Sequence, residues 1–358
     1  MPNLKRLFYA FIWVACLPLM APAQQSPAQN PAVCAKCHVQ ARTQPFTQMA
    51  RALQLPDSNP LLKTHPKMTF AKAGYSYLVE THDNKITYTV TDGVRTLSLP
   101  IEWSFGVGNQ TWVFQREGKL YESMVSYYPA IDGLEITTGD EKIAPHTLEE
   151  AAGRVQSDSD VKVCFGCHTS NSIVNGKVNL SALHPGVNCE RCHQGSDIHY
   201  ADIVKGKEDT IPADLSKLSS EDMSTFCGNC HRAWETVIRN HSKGEFNVRF
   251  QPYRLANSRC FDGTDPRISC IACHDPHQSL NKDQAYYDSK CLACHSTAAH
   301  TTLAAGPAPA PLAAKVCPVS KSGCVSCHMP KVTFLGGGLL KFTDHQIRIV
   351  KPGEPYPN

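Results

Sequence analysis

The segment Cys-x-x-Cys-His occurs seven times: Cys34-Ala-Lys-Cys37-His38, Cys164-Phe-Gly-Cys167-His168, Cys189-Glu-Arg-Cys192-His193, Cys227-Gly-Asn-Cys230-His231, Cys270-Ile-Ala-Cys273-His274, Cys291-Leu-Ala-Cys294-His295 and Cys324-Val-Ser-Cys327-His328. Two thiols three residues apart can each close a thioether bond to one vinyl group of the same porphyrin, and the adjacent histidine then meets the iron from that face. Fourteen of the seventeen cysteines fall in this one pattern. Structural zinc and thiol exchange also use Cys-x-x-Cys. Zinc, however, needs two such pairs to converge, and neither chemistry requires a histidine directly after the second cysteine. The expected cofactors are therefore seven covalently bound c-type haems, with His38, His168, His193, His231, His274, His295 and His328 as proximal iron ligands.

Axial ligation decides whether such sites carry electrons or transform a substrate, because a haem with two protein ligands is closed to small molecules. Of sixteen histidines, nine lie outside the motifs: His65, His82, His146, His184, His199, His241, His277, His300 and His345. Most are expected to be distal ligands, with two or three structural or exposed; His82 is the weakest, beside an expected turn. The strongest are His184 in His-Pro-Gly before the third motif, His199 six residues after it, His277 in Cys-His-Asp-Pro-His, and His345 in Thr-Asp-His. His65, His146, His241 and His300 complete the set. A histidine three residues past His274 is too near to reach the opposite face of the same haem, so His277 is expected to serve a neighbour. Met49 is a candidate thioether ligand of the first haem or a core residue, and Asp275 and Asp344 are candidates to hydrogen-bond ligands and tune potentials, or else exposed loop residues.

The elements that must position these groups divide unevenly, with the first motif at 34 and the other six between 164 and 328. In the dense part the intervals are too short for each haem to own a conventional domain, which predicts short helices and loops wrapped on macrocycles that act as much of the core. Between them, residues 75–80, 85–90, 94–99, 111–115 and 120–128 are rich in aromatic and β-branched residues, with Asp83-Asn84, Asp92-Gly93 and Glu117-Gly118 as hairpin turns. They predict a cysteine-free antiparallel β domain over 68–140, as a scaffold covering the haem cluster or a docking surface. The expected organisation is a signal peptide over 1–23, a first-haem segment over 24–67, the β domain over 68–140 and a six-haem domain over 141–358.

The signal peptide rests on Lys5 and Arg6, the apolar run Leu7–Met20 and the small residues Ala21-Pro22-Ala23 before Gln24. It implies a periplasmic or secreted chain; a lipoprotein signal ending at Cys16 is the alternative, and no later stretch is long enough to span a bilayer. In an oxidising compartment the leftover Cys260 and Cys317 are expected to pair. The formal charge of +3 falls to +1 without Lys5 and Arg6, and nothing resembles a basic nucleic-acid surface. Haem propionates would make the assembled protein more acidic than its polypeptide. The Pro- and Ala-rich stretch Gly306–Pro311 reads as an exposed loop.

His184-Pro-Gly-Val-Asn-Cys-Glu-Arg-Cys-His193 with His199 resembles a segment of multihaem cytochromes related to the tetrahaem cytochrome c that accepts electrons from hydroxylamine oxidoreductase. Cys270–His277, and Cys324-Val-Ser-Cys-His-Met-Pro-Lys331 followed by Phe342-Thr-Asp-His345, resemble the carboxy-terminal signature of the same broad superfamily. The resemblance implies a periplasmic redox protein with mainly bis-histidine haems and distal ligands at His184, His199, His277 and His345. Pentahaem nitrite reductases place lysine in a Cys-x-x-Cys-Lys motif, and this chain has none. The expected function is electron transfer between redox partner proteins through closely packed haems; the alternative is an oxidoreductase with one open haem acting on a small nitrogen or sulfur species or peroxide.

Overall fold

The computed structural model describes residues 30–82, 85–207, 210–296, 317–334 and 338–357. The expected signal segment with Cys16, the Asp83-Asn84 turn, His300 and the Gly306–Pro311 loop lie outside the described residues.

Alternation of apolar and polar residues builds two antiparallel sheets. The first joins β2 (Lys67–Lys72), β3 (Tyr75–His82), β4 (Lys85–Thr91) and β5 (Thr96–Pro100) in chain order. In β4 every second residue, Ile86, Tyr88 and Val90, points inward. The second sheet has the order β1 (Leu53–Gln54), β6 (Trp103–Phe105), β7 (Gln110–Arg116), β8 (Lys119–Tyr128) and β10 (Gly153–Val155), with β9 (Gly133–Ile136) also on β8. The sheets share one core, in which Tyr88 stacks on Phe114 at 5.6 Å and Trp112 is fully buried beside Val79, Val125 and Leu134. Glu117 and Gly118, both at positive φ (51° and 74°), give the twist a tight β7–β8 hairpin requires.

The sheets outrun the expected limits of 68–140. Two-residue β1 and three-residue β10 carry no periodicity of their own, and pairing with β6 and β8 alone makes them strands. The β2–β3 hairpin turns at Ala73-Gly74, where alanine at φ 53° hid the turn from composition.

Beyond residue 155 the chain changes character. Its helices are α4 (Asp158–His168), α5 (Cys189–Cys192), α6 (Ser196–Val204), α7 (Ser220–His231), α8 (Trp234–Asn240), α9 (Gln251–Ala256), α10 (Cys270–Cys273), α11 (Gln284–His295) and the turn Cys324–His328; before the sheets comes α1 (Pro31–Cys34), α2 (Pro60–Thr64) lies between β1 and β2, and α3 (Leu148–Ala152) precedes β10. Every motif sits on or at the end of a helical turn. Serine side chains cap α4 (Ser157 to the Asp160 amide) and α7 (Ser219 to the Asp222 amide), satisfying first-turn donors. Small ribbons fill the gaps, among them β15 (Lys331–Thr333) with β16 (Lys341–Thr343), and Thr169–Ser170 with His184–Pro185.

One aromatic contact docks the sheets onto the motifs. Phe165, inside the second motif, meets Trp103 and Phe105 edge-on at 5.4 and 5.2 Å, and Phe105 also meets His168 at 5.3 Å. Truncation of this buried ring removes the joint. Phe165→Ala is expected to lower stability by about 3–5 kcal/mol and to expose the second motif to limited proteolysis while leaving the far-UV β signature intact; circular dichroism and proteolysis of the holoprotein read both.

Candidate functional site

The motif turns open on one interior cavity of 5880 Å³, lined by all seven motif histidines and by every motif cysteine except Cys164. Divided among the motifs this is roughly 840 Å³ each, the scale of one large pocket per motif (about 300–1,000 Å³). A one-turn helix places cysteines at i and i+3 on the same face, so both thiols of a motif address the same space.

Adjacent motifs touch. The Cys34 and Cys189 thiols lie within hydrogen-bonding reach of each other, as do Cys167 with Cys230, Cys227 with Cys270, and Cys291 with Cys324. Cys192 lies close to Cys230, and Cys273 close to Cys291. The seven motifs therefore form one continuous series, first to third to fourth to fifth to sixth to seventh, with the second beside the fourth.

Three histidines from outside the motifs face motif histidines across the cavity. His199 lies opposite His38 with ring centroids 6.3 Å apart, His277 opposite His193 at 6.1 Å, and His345 opposite His274 at 6.1 Å. An iron between two imidazoles, at about 2 Å from each nitrogen, sets ring centroids roughly 6 Å apart. The residues thus fit a six-coordinate haem at the first, third and fifth motifs. His277, three residues past the fifth motif, meets the third.

The outer nitrogens are tied down. Nδ1–H of His168 donates to the Ala52 carbonyl (2.9 Å), that of His193 to Ala213 (3.2 Å), that of His328 to Arg348 (2.8 Å), that of His345 to Thr343 (3.0 Å), and that of His199 to Thr210. His277 Nδ1 lies 3.3 Å from Asp275, whose carboxylate also accepts the His277 amide. A backbone carbonyl or carboxylate on Nδ1 fixes the tautomer that leaves the Nε2 lone pair for a metal. Burial holds His168, His231 and His274 below the usual histidine pKa and takes His345 down to about 4, so these rings are neutral at pH 7.

Burial pushes the Cys164 and Cys189 thiols up to about 11, whereas a bond from Cys167 takes Cys230 down to about 6 and one from Cys227 lowers Cys270. Among the described residues no three His, Cys, Asp or Glu side chains converge as a metal site of their own, so the paired motifs do not assemble a zinc tetrahedron.

Other expected ligands fall elsewhere. Opposite His38 stands His199 rather than Met49, which lines the cavity on a turn whose Ala52 carbonyl serves His168. His184 is buried on a strand outside the cavity lining, its Nδ1 3.2 Å from Glu190. His65 belongs to the β unit, bonded to Asp132 at 3.0 Å and packed on Tyr127. His146 is exposed ahead of α3, where its amide donates to Glu150, and His241 is the exposed left-handed cap of α8. The expected Cys260–Cys317 bond is not formed. Both are free thiols: Cys260 lies near Cys273 and Cys294, whereas Cys317 is held by the amides of Val319 and Ser320.

Two features had no sequence signature. Gly186 of His-Pro-Gly has φ 75°, and a Cβ there would fall 1.8 Å from the Ala50 carbonyl oxygen, so glycine lets the third-motif segment press on the turn at Met49. The second is a buried clamp. Arg254 on α9 grips Asp344 through Nε (2.8 Å) and Nη2 (2.9 Å), and reaches Gln346 (2.6 Å) and the Pro357 carbonyl (2.9 Å); Arg348 adds a 2.6 Å bond to Asp344. Asp344, a candidate to hydrogen-bond a ligand or else an exposed loop residue, is fully buried and fixes the segment that carries His345.

Burial raises the Asp344 carboxyl, but the bonds from Arg254, the Gln346 amide and Arg348 outweigh it and hold it below the ordinary carboxylate value. A depressed folded-state pKa gives stability that is complete above the unfolded value of about 3.9 and disappears as pH falls through the folded value. Arg254→Met strands a buried carboxylate and is expected to cost about 3–5 kcal/mol at pH 7. Its acid-unfolding midpoint moves to higher pH, as denaturant titrations of the holoprotein between pH 3 and 7 will read. Comparison of the chain with known protein families, with curated proteins and with solved structures finds no match in any of the three.

Proposed function

We propose that this chain is a periplasmic or secreted heptahaem c-type cytochrome that passes electrons between redox partner proteins. The observation that carries the reading is the trio of facing imidazole pairs, 6.1–6.3 Å apart, in a cavity shared by all seven Cys-x-x-Cys-His turns. The cysteines of each motif would hold one haem by thioether bonds, and His38, His168, His193, His231, His274, His295 and His328 would be its proximal ligands. When bound, the haems supply one-electron transfer between iron(III) and iron(II).

The chain's own part is placement. His199, His277 and His345 would be the second protein ligands of the haems at the first, third and fifth motifs, which suits a carrier rather than a substrate site. The Nδ1 bonds to Ala52, Ala213, Thr343, Thr210 and Arg348 hold the rings still, so the ligand set does not rearrange as charge changes. Neighbouring thiols join the first motif to the third, the second to the fourth, the fourth to the fifth and the sixth to the seventh. No helix among the described residues is long and apolar enough to cross a membrane, so donor and acceptor would be met at the surface.

Electron paramagnetic resonance on the oxidised holoprotein tests this. Low-spin signals should dominate; a stoichiometric high-spin haem that shifts with nitrite, hydroxylamine or peroxide would make the chain an enzyme instead. His199→Ala, His277→Ala and His345→Ala should each convert one haem to high spin, at the first, third and fifth motifs respectively. His65→Ala, His146→Ala and His241→Ala should leave the spectrum unchanged.

A further inference from the structure

Charge is not spread evenly over the polypeptide. Residues 317–357 hold Lys321, Lys331, Lys341, Arg348 and Lys351 against Asp344 and Glu354, a net +3 that equals the formal charge of the whole 358-residue chain. Arg348 is spent internally on Asp344. The four lysines are all exposed, and among the described residues none has a carboxylate within ion-pair distance.

The local fold gathers them around the seventh motif. In the β15–β16 ribbon Lys331 pairs with Thr343 and Thr333 with Lys341, so both lysines stand on one face. The other face carries Val332 and Phe342, and Phe342 packs on Phe334 at 5.7 Å. Two backbone-anchored bonds, His328 Nδ1 to the Arg348 carbonyl (2.8 Å) and the Arg348 amide to the His328 carbonyl (3.2 Å), lay the strand ending at Lys351 alongside the motif. Lys321 lies three residues before Cys324. Lys321, Lys331 and Lys351 also line the motif cavity, so the charge stands beside the seventh motif. Of the motif cysteines only Cys37 and Cys327 are exposed, and Cys327 belongs to this motif, the last in the series of contacts.

We propose that this face is the docking surface for an acidic electron-transfer protein. The inference rests on the conduit reading above. An excess of exposed ammonium groups on the segments around the seventh motif matches a partner whose carboxylates surround its own redox edge: the lysines steer the encounter and fix its orientation. The complex is expected to be transient and weakened by salt.

The probe is a photoreduced acidic flavodoxin reducing the oxidised holoprotein in stopped flow at rising KCl, with free reduced flavin as a small reductant that needs no docking. The flavodoxin rate should fall with salt. In the triple variant Lys321→Glu, Lys331→Glu, Lys351→Glu it should be roughly tenfold or more slower at low salt and nearly salt-independent. The control Lys85→Glu, Lys119→Glu, Lys142→Glu reverses three exposed charges on or just beyond the β unit and should keep the native rate. Equal slowing in both variants, or in neither, overturns the docking surface while leaving the conduit intact. Failure of free reduced flavin to reduce the native holoprotein overturns the conduit reading, and the docking surface with it.

Discussion

The constraint on which everything else depends is that a Cys-x-x-Cys-His turn is too short to bury anything by itself. One helical turn offers two thiols and an imidazole to a common space and has no second face to pack. Of the buried apolar side chains among the described residues, only nine lie beyond residue 155: Phe165, Met223, Ala233, Val237, Val248, Phe250, Tyr253, Leu255 and Phe334. That set is too small for a conventional core of some two hundred residues. Six motif turns therefore line a common cavity that the chain's own apolar side chains do not fill. The polar clamps follow from this: Arg254 with Asp344, and the Nδ1 bonds to backbone carbonyls, do the positioning that apolar packing does elsewhere.

The β unit solves its own problem separately. Its core of Trp112, Tyr88, Phe114, Val79 and their neighbours is dense and entirely protein. The chain enters this unit at one edge of the second sheet, with β1 beside β6, and leaves it at the other, with β10 beside β8; the flanking segments meet because α4 returns the chain to β6 through Phe165 on Trp103 and Phe105. They are then cross-bonded: Gln44 donates to the Val187 carbonyl at 2.7 Å, the Val187 amide donates to Met49 at 2.9 Å, and His168 reaches Ala52. The first motif, although far from the others in sequence, is drawn into their series through these bonds and through Cys34 beside Cys189.

Legibility in the sequence followed the range of the physics. The motifs, the period-two strands and the Glu117-Gly118 turn are local patterns and could be read residue by residue. So could the steric argument that His277 lies too close to His274 to stand opposite it, and its ring faces His193 instead. The partner each histidine meets is a long-range fact. His199 and His65 have the same side chain, and only tertiary placement sets one opposite His38 and the other against Asp132. Proximity in the chain likewise suggested Met49 for the first motif, where a residue far downstream takes the place. Arg254 carried no pattern at all, because a buried guanidinium is recognised only by its partners. Asp344 was noticed for its neighbour His345, and its true partners lie on another helix.

The pairing of His38 with His199 also sets a timetable. A chain made from its amino end presents His38 early, and then the entire β unit, whose hairpins are local and close quickly. His199 arrives only after that unit and after two further motifs. Its partner ring is absent for longer than for any later pair, since His193 awaits His277 and His274 awaits His345 across shorter stretches. The first motif is thus the earliest begun and among the slowest completed. The docking of α4 back onto β6, through Phe165 on Trp103 and Phe105, is what keeps that wait from becoming a long search.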